Sequence, residues 1–142
     1  TNSLIHAIQK KIYQFIVINY ANPDMVGHTG NLEATIKAIT VIDECIGRLF
    51  REVQLINGTL IITADHGNAE YMINENGEPC TSHSTNAVPF ILVENNNQNS
   101  KKELKKEGCL ADIAPTILEL LEISIPNEMN GKSLIKYSTD KL

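Results

Sequence analysis

The chain has 142 residues, 12 Lys and Arg against 17 Asp and Glu, and a formal net charge of −5. That length allows one domain or less, and 42% hydrophobic residues are enough for a core, which excludes disorder as the overall state. The acidic balance argues against nucleic acid or an anionic membrane as the main partner, because both require a positive field, and leaves room only for local basic patches.

No apolar run approaches the roughly 18 residues of a membrane span. The opening TNSLIHAIQKK lacks the charged-then-apolar order of a signal peptide, so a soluble protein is expected. Cys45, Cys80 and Cys109 are odd in number and widely spaced, form no CxxC pair, and fit a reducing cytoplasm. The chain opens at Thr1 rather than Met, which points to a piece of something longer.

In chain order, Leu4, Ile5 and Ile8 give residues 4–11 the apolar face of a helix end. The β-branched run Phe15-Ile16-Val17-Ile18 then predicts a buried strand. In YANPDMVGHTG, Asn22 is a candidate cap and Pro23 suits the first position of a brief helical turn. From Leu32 to Val53, apolar residues at steps of three and four predict a long amphipathic helix, stopped by Asn57-Gly58. Thr59–Thr63 reads as a second buried strand. Strand, helix, strand is a βαβ unit with parallel strands, which brings the segments following both strands to one sheet edge.

Residues 70–73 predict a hairpin arm turning at Asn76-Gly77, and 87–93 a further strand. The polar stretch 94–108 reads as a solvated loop or helix face. Asp112 is a candidate cap for a helix carrying Ile113, Ile117, Leu118 and Leu121, with Pro115 tolerated in its first turn. The turn-rich tail from Pro126 packs through Leu134 and Ile135.

Asp24 and His28 are four apart, so on a helical turn both side chains face the same way and can share one cation. Asp65 and His66 follow the second strand directly, at the same expected edge, and His83 lies in the polar loop TSHSTN. Taken singly, these residues also read as turn caps or solvated histidines. His6, with no such neighbour, reads as structural. Carboxylate and imidazole without thiolate suit Mn²⁺ or Zn²⁺, admit Fe or Co, and do not suit an all-oxygen Ca²⁺ cage. The Cys80–His83 spacing is zinc-like, but only one cysteine is near. Five ligands exceed one tetrahedral ion and fall short of two, which favours a binuclear site built partly from elsewhere.

NYANPDMVGHTGNLEATIKAI, ITADHGNAE and GEPCTSHSTNAVPFILV, followed by GCLADIAPTILELL, resemble the C-terminal part of the cofactor-independent (2,3-bisphosphoglycerate-independent) phosphoglycerate mutase family. The resemblance runs from about Leu4 to Ile135. It implies an α/β fold of the alkaline-phosphatase superfamily, a three-layer α/β/α sandwich with a mixed, mostly parallel sheet, incomplete in this chain. Residues 1–142 would then be the C-terminal part of the metal-binding phosphatase domain, holding two Mn²⁺ ions at the sheet edge. Asp24, His28 and His83 would bind one ion. Asp65 and His66 would bind the other, together with an aspartate and a nucleophilic serine from an N-terminal part not found here. The inserted phosphotransferase domain is also absent. One departure is Cys80, where many relatives carry histidine.

By the same resemblance the whole enzyme interconverts 2-phosphoglycerate and 3-phosphoglycerate in glycolysis, as a cytoplasmic monomer, through a phosphoserine. This chain alone would be inactive, hold at most one tight Mn²⁺, and be liable to self-associate through an unpaired sheet edge. Metal binding would weaken at mildly acidic pH, since only neutral imidazole coordinates. Competing expectations are a phosphopentomutase or phosphatase of the same superfamily, and a non-catalytic metal-binding module.

Overall fold

The computed structural model describes residues 1–95 and 102–137, which belong to two compact units, Thr1–Asn96 and Asn97–Leu142. In the first unit, helix α1 (Asn2–Lys10) buries Ile8. The long helix α3 (Leu32–Leu55) begins where the Asn31 side chain accepts the Ala34 N–H, and buries Leu49 and Val53. Ile8, Leu49 and Val53 form the core of this unit, with Leu4, Ile5, Tyr20, Ile56 and Leu60 packed around them. The predicted stop of α3 has a definite geometry. Asn57 adopts φ 55, its N–H bonds the Gln54 carbonyl, and the Gly58 N–H bonds the Val53 carbonyl. This is a left-handed cap that satisfies two of the last carbonyls.

Strand β1 (Leu60–Thr63) pairs with β2 (Phe90–Val93), from Leu60 opposite Val93 to Thr63 opposite Phe90, and the pairing is antiparallel. The expected parallel βαβ unit is not what these residues form. Phe15–Ile18 makes no ladder among the described residues, and Val17 is 76% exposed. A β-branched run favours an extended backbone, but its ladder needs a neighbour that local sequence does not specify. The antiparallel register nevertheless joins the two loops in question. Residues 64–89 leave β1 and return to β2 at one end of the pair, and a bridge between Gly67 and Ser84 ties the two arms.

Within that excursion the predicted hairpin is present. Ile73 faces Pro79, the Cys80 N–H bonds the Met72 carbonyl, and Met72 is buried. The turn is held by the Asn74 side chain, which accepts the N–H groups of Asn76 and Glu78, while Gly77 takes φ 80. A positive φ at that place suits glycine.

In the second unit, β3 (Lys102–Leu104) pairs antiparallel with β4 (Ile135–Tyr137). The segment 94–108 is therefore not a loop or helix face throughout, and part of that expectation, residues 96–101, lies outside the described residues. A short strand of mixed polarity shows no apolar alternation strong enough to reveal it. Leu134 and Ile135 are buried, as expected. A 3₁₀ turn, Leu110–Asp112, leads into α4 (Ile113–Leu120), in which Pro115 and Thr116 are buried. Asp112 occupies the N-cap position of α4, as expected, but makes no side-chain cap bond to that helix. Its carboxylate accepts the Cys109 and Lys132 N–H groups. No helix among the described residues is long and apolar enough to cross a membrane.

Candidate metal centre

The centre is built around a short helix, α2 (Asn22–Gly27), which carries Pro23 in its first turn. Ala21, not Asn22, occupies the cap position, and Asn22 is the first helical residue. The His28 N–H bonds the Asp24 carbonyl, so Asp24 and His28 sit one turn apart on one face, with Asp24 Oδ1 and His28 Nε2 3.3 Å apart. His83, from the 64–89 excursion, brings Nε2 to 3.1 Å from Asp24 Oδ1 and 3.2 Å from His28 Nε2. Three ligand atoms from two distant parts of the sequence thus meet at one point.

Their chemistry shows what the point suits. His28 Nδ1 lies 2.6 Å from the Thr81 carbonyl oxygen. A carbonyl only accepts, so Nδ1 carries the hydrogen, and a neutral His28 presents a bare lone pair at Nε2. That lone pair is aimed at a carboxylate oxygen. A cation between the two atoms would be held by both, and the Nδ1–H···O=C bond is the outer contact that metal-bound histidines characteristically make. Atoms coordinated about 2.1 Å from one ion at tetrahedral or octahedral angles are themselves roughly 3.0–3.4 Å apart. The three observed separations fall in that range. The side chains of Asp24, His28 and His83 are 34%, 42% and 48% exposed, which leaves the point open to further ligands. One carboxylate and two imidazoles fit a transition metal such as Mn²⁺, Zn²⁺, Fe or Co.

Asp65 and His66 do not join this point. Asp65 is exposed, and its Oδ2 lies 3.6 Å from His66 Nε2. His66 instead stacks on His83, with ring centroids 3.6 Å apart and planes within 19°. The pair therefore adjoins the triad through His83 as a separate set of two potential ligands. Cys80 is not among the converging atoms.

Three residues not singled out from the sequence, Asn68, Glu70 and Thr81, support the triad. Asn68 is buried and donates from Nδ2 to Asp24 Oδ1 at 3.0 Å. Glu70 accepts from the Asn68 backbone N–H, from Asn86 Nδ2 and from the Ser84 hydroxyl. These bonds, chiefly that from Ser84, hold the Glu70 carboxyl below its usual range. The only sequence signal for Asn68 and Glu70 was adjacency, in DHGNAE, to two candidate ligands. Thr81 acts through its carbonyl and left no signal at all.

Comparison with known proteins shows what the chain is similar to. Residues 1–125 match the family model described as Metalloenzyme superfamily. The 2,3-bisphosphoglycerate-independent phosphoglycerate mutase of Antithamnion sp. is 63% identical over 135 residues, covering 95% of this chain and 26% of that protein. The enzyme of the same name from Gracilaria tenuistipitata var. liui is 65% identical over 136 residues, covering 96% and 26%. A crystal structure of Leishmania mexicana phosphoglycerate mutase at low cobalt concentration superposes with a TM-score of 0.85 at 31% identity, over 96% of this chain and 27% of that one. The chain thus spans about a quarter of the length of the relatives it matches.

Proposed function

The chain belongs to the metalloenzyme superfamily, and we propose that within it the chain is the C-terminal metal-binding part of a 2,3-bisphosphoglycerate-independent phosphoglycerate mutase. The observation that carries the reading is the meeting of Asp24 Oδ1, His28 Nε2 and His83 Nε2, in a chain so similar to mutases of that name. The proposed frame is an alkaline-phosphatase-like α/β/α sandwich with a mixed, mostly parallel sheet, of which these residues are one part. The nucleophilic serine and an inserted phosphotransferase domain belong to the remainder of the protein.

In this reading Asp24, His28 and His83 hold one Mn²⁺, and Asp65 and His66 contribute to a second. Manganese, when bound, offsets negative charge on the phosphoryl oxygens and lowers the proton affinity of a coordinated hydroxyl. The chain's own residues prepare the place. Asp24 supplies a negative oxygen, Thr81 fixes the His28 ring so that Nε2 is free to coordinate, and His66 supports the plane of His83. The phosphoryl group leaves the 3-oxygen of 3-phosphoglycerate for the serine oxygen while the 3-oxygen gains a proton in place of the one the serine loses, giving glycerate and phosphoserine. The group then passes to the 2-oxygen, whose proton is lost as the serine regains one, giving 2-phosphoglycerate. The compartment is the cytoplasm and the complete enzyme a monomer.

The test is an assay of the longer protein containing this chain. It is expected to interconvert the two phosphoglycerates with added Mn²⁺, and Asp24→Ala is expected to lower the rate at least about a hundredfold. The 142-residue chain is expected to give no turnover. A longer protein inactive on both phosphoglycerates contradicts the assignment, and turnover by the chain alone contradicts its incompleteness.

A further inference from the structure

Behind the three converging ligand atoms lies a frame of side chains that do not themselves reach the point. Asn68 is 5% exposed, and it is held once through its side chain and once through its backbone. Nδ2 donates to Asp24 Oδ1, and the backbone N–H donates to Glu70 Oε2 at 2.6 Å. Since Asp24 can only accept, the nitrogen of the Asn68 amide must face it. That orientation leaves Asn68 Oδ1 buried without a hydrogen-bond partner among the described residues, which is costly for such a group. The Asp24 contact is kept in spite of that cost. Room for it depends on Gly27, where a Cβ would collide with the Asn68 amide oxygen.

Glu70 closes the frame on the other side. Its Oε1 accepts from the Ser84 hydroxyl and from Asn86 Nδ2 at 3.0 Å, and the Ser84 N–H bonds the Gly67 carbonyl at 2.9 Å. Ser84 directly follows His83. One carboxylate therefore ties the Ser84 side chain, next to His83, to the residue that holds Asp24.

We infer that Asn68 and Glu70 are positioning residues of the metal centre, Asn68 by aiming the Asp24 carboxylate and Glu70 by locking the His83 arm to it through Ser84. The inference rests on the reading of Asp24, His28 and His83 as metal ligands. It concerns two side chains that touch neither the ion nor the substrate.

The experiment is calorimetric titration of the full chain with Mn²⁺, paired with the visible absorption of the Co²⁺ form as a signature of ligand geometry. Asn68→Ala is expected to weaken Mn²⁺ binding about 10- to 100-fold and to alter the Co²⁺ bands. Combined with Asp24→Ala, it is expected to add no further loss, since its effect passes through Asp24. Glu70→Gln, on an exposed side chain that tolerates change, is expected to weaken binding about tenfold, with Glu70→Asp recovering part of it. Glu70→Gln binding as tightly as the parent chain, or Asn68→Ala costing as much with Asp24 as without it, overturns the inference. Should Asn68→Ala fail to fold, the Glu70 pair decides alone. Absence of Mn²⁺ binding by the unsubstituted chain, or binding indifferent to Asp24→Ala, overturns the metal-centre reading beneath it and is recognised before any positioning variant is compared.

Discussion

His28 shows how one backbone contact decides the character of the centre. Thr81 takes the Nδ1 hydrogen, and the ring turns Nε2 toward the Asp24 carboxylate. His83 completes the set, and His66 only supports it by stacking. The two histidines are therefore expected to differ sharply on substitution. His83→Ala removes a ligand and is expected to weaken Mn²⁺ binding more than about a hundredfold, beyond the range of outer contacts, whereas His66→Ala is expected to cost about tenfold or less. Calorimetric titration of both variants checks this, and equal losses would contradict it. Asp24 and His28 were legible in the sequence because a spacing of four is a statement about one helical turn. The arrival of His83 was legible only as a coincidence of donor types, since its position depends on the register of β1 with β2. Asn68 was not legible, because nothing in an isolated asparagine reveals that Gly27 will let it reach Asp24.

At the scale of elements, the joints are held by single polar atoms whose removal has a calculable sign. Asn57 ends α3 in a left-handed conformation, where an ordinary side chain is strained. Asn57→Ala is expected to destabilise the fold by about 1–2 kcal/mol in urea unfolding, and Asn57→Gly by much less. Thr116 is fully buried, donates to the Asp112 carbonyl and accepts the Leu134 N–H. Thr116→Val keeps the shape but orphans that N–H, and is expected to cost about 1–3 kcal/mol by the same measurement. The Asp112 carboxyl is held below its usual range by the Lys132 and Cys109 N–H groups. A carboxyl lowered on folding contributes stability that is complete above its ordinary range and is lost as pH falls through the lowered value. Thermal midpoints of the parent chain are expected to fall across that acid interval more steeply than those of Asp112→Asn, and parallel profiles would contradict the contact. The long helix α3 was legible because a stripe sustained over many turns has no other reading. The strand expected at residues 15–18 was not obtained, because pairing is a property of neighbours, and β3 was missed because three residues of mixed polarity carry no period.

At the scale of the whole chain, the notable feature is apolar surface left open. Ile12, Tyr13, Phe15, Ile16, Val17 and Ile18 are all exposed, in an extended segment that makes no ladder among the described residues. Exposed apolar runs with free backbone groups promote association. The chain is therefore expected to form dimers or larger species as its concentration rises in sedimentation experiments, and Val17→Lys to shift it toward monomer. A parent chain that stays monomeric throughout would contradict this. Such a surface also accords with a chain that spans about a quarter of its relatives' length.

The convergence of one carboxylate and two imidazoles on a shared cation is the claim that carries the functional reading, and anomalous scattering from crystals of the chain grown with Mn²⁺ tests it most directly. The expected map has a manganese peak about 2 Å from Asp24 Oδ1, His28 Nε2 and His83 Nε2 together. Manganese bound elsewhere, with those three side chains left uncoordinated, would contradict it.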